Sequence, residues 1–107
     1  MLSKEKTLER LRDLESLYQH GYTSDLISQS VDKLIILERT SAERELADLT
    51  ARLQSYESRY HMPSDVFYQR FRAGELGDDI DFVEWSAFFE MWQSTQKRLS
   101  VLNVEPA

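Results

Sequence analysis

Residues 24–61 read SDLISQSVDKLIILERTSAERELADLTARLQSYESRYH. The stretch holds neither glycine nor proline, so nothing in it punctuates a helix, and it predicts one long helix. In its second half Ala42, Leu46, Leu49, Leu53, Tyr56 and Tyr60 follow one another at spacings of four, three, four, three and four. That is a heptad seam, the pattern of a helix that pairs with other helices. In its first half Leu26, Ile27, Val31 and the run Leu34-Ile35-Ile36-Leu37 make a far wider apolar face. Such a face must be covered on more than one side. Carried backwards, the heptad puts Arg39 and Asp32 on the seam, so the two halves are out of phase and a stutter near Glu38 to Ser41 would reconcile them. A short buried strand at Leu34 to Leu37 is the competing reading, and no turn residues bound it.

A helix of these 38 residues would be about 57 Å long. A compact chain of 107 residues has a radius of gyration of only about 13 Å. A helix this long leaves its seam wet unless a second chain covers it. The expectation is therefore a homodimer, most simply two-fold, with Leu46, Leu49, Leu53, Tyr56 and Tyr60 as its seam. The alternative is a break near Thr40-Ser41, which would fold the chain into a monomeric bundle.

Working outward, residues 3–20 form the first helix. Leu8, Leu11, Leu14 and Leu17 recur every three residues, and Ser3 or Thr7 can cap the start. Gly21 supplies a stop, and Thr23 or Ser24 can cap the long helix. So short a connection makes the two helices antiparallel neighbours. Pro63 ends the long helix at Met62, with Ser64 as the next N-cap. A short third helix carries Val66, Phe67, Tyr68 and Phe71 and ends before Gly74. The fourth helix begins at a capping-box pattern, Asp81 with Glu84, flanked by a staple of Ile80 and Trp85. It continues to about Leu102, and Pro106 closes the tail. The fold class is thus all-α: a helical hairpin over 1–62 (helices 3–20 and 24–61) and a small two-helix region over 63–107, in one structural unit.

Composition fits a helix-rich protein, with 41% hydrophobic and 30% charged residues. Without cysteine there are no disulfides and no thiolate metal ligands. No apolar run approaches the roughly 18 residues of a membrane span, and Met-Leu-Ser-Lys-Glu-Lys has no signal-like apolar core. The expectation is a cytoplasmic protein that does not engage a membrane. Net charge is -6. Residues 63–92 alone carry seven acids against two bases. That block argues against nucleic acid and favours a basic partner, although a net acidic surface also simply keeps a small protein soluble.

Ten of the twelve aromatic residues lie between Tyr56 and Trp92. Helices three and four can pack them as a small core against the end of the long helix. They can also leave a partly exposed groove that receives another protein, because a cap of about 40 residues is too small to bury every ring. The candidate partner-binding residues are Asp78, Asp79, Trp85, Phe89 and Trp92.

Other chemistry finds little support. Neither Asp78 nor Asp79 begins an EF-hand loop, since the required glycine and glutamate spacing fails. His20 and His61 have no second ligand at metal-binding spacing and sit near helix C-termini, where a positive charge is favourable. No nucleophile elbow, phosphate loop or catalytic carboxylate pair occurs. The expectation is no enzyme, no cofactor and no metal.

Two stretches together resemble a known group. Asp32-Lys33-Leu34 leads to Glu38 in the long helix. Phe67-Tyr68-Gln69-Arg70-Phe71 is followed by Ala73-Gly74-Glu75-Leu76-Gly77-Asp78-Asp79, then Asp81-Phe82-Val83-Glu84-Trp85 and Glu90-Met91. Over most of its length the chain resembles small prokaryotic all-helical proteins, most of them uncharacterised. They look like antitoxin-type partners, sometimes encoded beside a small toxin-like protein. The resemblance implies a protein–protein interaction module that neutralises a basic toxin partner, and it carries no catalytic residues. A self-assembling helical dimer is the alternative. A DNA-binding regulator using Arg39, Arg44, Arg52 and Arg59 is weaker, because no helix-turn-helix with a basic recognition helix is present.

Overall fold

The structure is a computed structural model and describes residues 3–102. Four helices make it up: α1 Lys4–Gln19, α2 Asp25–Tyr60, α3 Ser64–Arg72 and α4 Ile80–Leu102. No strand occurs among the described residues, and Leu34 to Leu37 are helical. α2 runs without a break through Thr40 and Ser41. No helix among them is long and apolar enough to cross a membrane. The expected tail from Asn103 through Pro106 lies outside the described residues.

Helix ends follow local chemistry. The Ser3 hydroxyl accepts from Lys6 N at the start of α1, and the Ser24 hydroxyl accepts from Ile27 N at the start of α2. Gly21 and Gly74 take positive φ just beyond α1 and α3, where Tyr22 N reaches back to Leu17 O and Glu75 N to Arg70 O. These are left-handed helix stops that glycine adopts without penalty. α2 ends the same way, but with His61 at φ 53 and Met62 N bonded to Glu57 O.

The two C-terminal helix starts differ from expectation. Pro63, not Ser64, holds the N-cap of α3, because the Ser64 side chain is buried and engaged elsewhere. Asp79, not Asp81, caps α4. Its carbonyl accepts from Phe82 N and Val83 N, and its carboxylate accepts from Asp81 N at 2.9 Å. Ile80 remains 67% exposed while Trp85 is fully buried, so the predicted staple does not form. The carboxylates of Asp81 and Glu84 are turned to tyrosines of α2 instead.

The chain divides into two compact units inside α2, after Ile36. In the first unit, the hydroxyl of Tyr18 spans the α1–α2 turn: it donates to Ser24 O at 2.9 Å and accepts from Ser24 N at 3.2 Å. Leu11, Leu14 and Tyr18 of α1 share an open groove with Ile27 and Val31 of α2. No residue of this unit from Ser3 onward is buried.

The second unit holds the core. α4 runs antiparallel along α2, and its pairings track the whole length. Asp81 meets Tyr60, Glu84 meets Tyr56, Trp92 meets Thr50, Arg98 meets Glu45, and the Leu102 carbonyl meets Arg39. α4 is thus not a small cap at the end of the long helix but lies along α2 from Tyr60 back to Arg39. Leu49 and Leu53 are buried within one chain, each burial favouring the fold by about 1.5–3 kcal/mol. Leu46, Tyr56 and Tyr60 are half-buried. Part of the apolar face expected to pair with a second chain is thus covered by α4 of the same chain.

Candidate partner-binding site

The second unit is built around Trp85, Phe67, Phe89 and Leu53. Trp85 and Phe67 are completely buried and stack with ring centroids 3.7 Å apart, planes 5° from parallel. Tyr56 lies nearly parallel to Trp85 at 5.6 Å and Tyr60 at 5.8 Å. The indole N–H of Trp85 donates to the Ser64 hydroxyl at 2.9 Å. That bond satisfies the one polar atom a buried tryptophan brings with it. Ser64 N in turn donates to the Glu57 carboxylate at 2.8 Å. Sequence reading missed this link. Its signal was a serine standing in the α3 first turn beside a proline already able to begin a helix.

Three tyrosine–carboxylate pairs bind α4 to its neighbours. Tyr56 donates to Glu84 at 3.0 Å, Tyr60 to Asp81 at 2.5 Å and Tyr68 to Glu90 at 2.7 Å. Arg59 joins the second pair through Asp81 at 2.8 Å. The hydrogen bond from Tyr60, followed by that from Arg59, holds the Asp81 carboxyl below the usual aspartate range. The carboxylates push the phenols of Tyr60 and Tyr68 up, while Tyr56 is raised first by burial and then by Glu84. Much of the acidic block is therefore spent inside the fold. Among the described residues, Asp65, Glu75 and Asp78 make no side-chain hydrogen bond or ion pair.

The candidate site residues separate accordingly. Trp85 presents no surface, and Phe89 is only 7% exposed. Both are core, which corrects their expected role as partner contacts: the stack with Phe67 and the packing of Tyr68 on Phe89 consume their faces. Asp78 and Asp79 are exposed, but Asp79 is occupied in capping α4. Trp92 is half-buried, stacks on Phe89 at 5.9 Å and donates to the Thr50 hydroxyl at 3.1 Å.

Trp92 and the edge of Phe89 open onto a groove of about 340 Å³ between α2, α3 and α4. Leu53, Phe89 and Trp92 give it apolar walls, and Gln54, Glu57 and Asp65 bring polar groups to it. On the other side of α2, Arg52 lies over the Phe88 ring at 5.1 Å and Arg59 over Tyr56 at 5.9 Å. These residues line a second, more polar groove with Asp81 and Glu84, in which Arg59 pairs with Asp81 and Glu84 accepts from Tyr56. Among the described residues no group of three or more histidines and carboxylates is placed to hold a metal ion.

Comparison with protein families, with curated proteins and with solved structures returned no match.

Proposed function

We propose that this chain is a protein–protein interaction module of the antitoxin type, and that its second unit receives a basic segment of a partner in the groove beside Trp92. The observation that carries this is the composition of that groove. It sets the half-buried Trp92 indole and apolar walls next to the carboxylates of Glu57 and Asp65. An aromatic face attracts an arginine or lysine head group, and a carboxylate beside it adds a charge-assisted hydrogen bond. The residues from Leu37 onward carry thirteen acids against eight bases, so the surrounding field also favours a cationic segment.

Titration of the purified chain with basic peptides, followed by tryptophan fluorescence, tests the proposal. Lysine- and arginine-containing peptides should quench or shift the Trp92 signal, acidic ones should not, and added salt should weaken the effect. Asp65→Lys should abolish it at a stability cost of no more than about 1–2 kcal/mol, since Asp65 is exposed and makes no side-chain bond but stands in the first turn of α3, where an acid complements the helix dipole. Equal response to acidic and basic peptides, or an unaffected Asp65→Lys variant, rules the proposal out.

A further inference from the structure

From Ser3 to Ile36 the chain forms two helices without burying a single residue. Eleven large apolar side chains of this unit, from Leu8 to Ile36, are exposed, with Leu26 at 77% and Leu34 at 58%. Taking about 200 Å² for a large side chain, their exposed parts come to on the order of 1,000 Å². A stable interface buries about 800 Å² on each partner. Isolated surface leucines are ordinary, but Leu11, Leu14, Tyr18, Ile27 and Val31 come together around one groove, and clustered apolar surface of this kind marks an interface.

Charge indicates which occupant fits. Residues 3–36 carry six acids and five bases, interleaved along both helices. A face so close to neutral offers little to a strongly charged partner and does not repel a copy of itself. Two helices with wide apolar stripes, joined to their two-fold mates, make four helices around one core, the smallest arrangement that closes such stripes. The open groove of about 330 Å³ lined by Leu11, Leu14, Tyr18, Ile27 and Val31 leaves room for the mate's side chains.

We infer that the N-terminal hairpin is a self-association surface, and that two copies of this chain pair through α1 and the first turns of α2 into a four-helix bundle. The interface is distinct from the heptad seam, which α4 covers, and from the groove beside Trp92. Each assembly then carries two second units and two such grooves.

Light scattering on the full chain over a range of concentrations tests this. Both tryptophans, Trp85 and Trp92, lie in the second unit, so their near-ultraviolet signal reports its folding separately. The wild type should show twice the chain mass. The double variant Leu14→Glu with Ile35→Glu should fall to one chain mass with its tryptophan signal intact. A wild type of one chain mass at every concentration overturns the inference, and so does a double variant that keeps twice the chain mass. Should that variant lose its tryptophan signal, crosslinking decides. The chain has no cysteine, so Ser28→Cys, in the groove, should be joined into dimers by a short bis-maleimide, whereas Ser58→Cys should not. The reverse pattern overturns the inference. Neither result touches the peptide titration, so the two proposals fail independently.

Discussion

The indole N–H of Trp85 and the hydroxyl of Ser64, 2.9 Å apart in the core, tie α4 to the first turn of α3. Both residues are buried, Ser64 to 4% exposure. Removing the hydroxyl strands a buried donor that water cannot reach. Ser64→Ala should therefore lose about 1–3 kcal/mol of stability. Urea unfolding gives the value, and the loss should shrink when Trp85→Phe is already present, because no donor is then left unpaired.

His61 holds the left-handed position that ends α2, at φ 53. A side chain there costs roughly 1–2 kcal/mol against a right-handed residue, part of which glycine returns in the unfolded chain. His61→Gly should raise stability by about 0.5–1 kcal/mol, read as a higher urea midpoint at unchanged slope. A lower midpoint would mean that the imidazole makes a stabilising contact.

The aspartate in the Tyr60–Arg59–Asp81 cluster gives the fold a dependence on acid. Its carboxyl titrates lower in the folded chain than in the unfolded one. The stability it contributes is therefore complete above the ordinary aspartate range, near pH 3.9, and is lost as pH falls through the depressed folded value. Melting temperatures measured from neutral pH down to about pH 2.5 should decline more steeply for the wild type than for Asp81→Asn. At the alkaline end the sign reverses. Tyr56, Tyr60 and Tyr68 titrate above the ordinary tyrosine value of 10.0. Their contribution is whole below that value and is lost as pH rises through their folded values.

Leu53 sits in the aromatic core and is 5% exposed. Leu53→Ala should cost about 2–5 kcal/mol by cavity formation. Leu53→Asp should abolish the near-ultraviolet tryptophan signal outright, since it buries an unpaired charge. If the seam instead served only a dimer, Leu53→Asp would yield a folded monomer with that signal retained.

Much of the architecture was legible along the chain. Gly21, Pro63 and Gly74 act through their own backbones, so the helix boundaries near them followed from local rules. The unbroken stretch from Ser24 to His61 was likewise enough for one long helix, and α1 and α2 begin at the serines that local capping chemistry favours. The Ser64 and Asp81 starts were misread because both side chains had long-range competitors, Trp85 for one and Tyr60 with Arg59 for the other. A capping pattern records what a residue can do nearby, not what a residue 21 positions away offers it.

Of the candidate site, the sequence determined the ingredients: an acidic, aromatic C-terminal half, a heptad on α2 and an unusually apolar N-terminal hairpin. Which rings are core and which are surface, which carboxylates are engaged, and what covers the heptad were decided only by the tertiary structure. The physical reason is that periodicity states which face of a helix must be buried but not against what. A helix pairs as well with a later helix of its own chain as with another molecule, and it is the antiparallel course of α4 from Tyr60 back to Arg39 that supplies the cover within this chain.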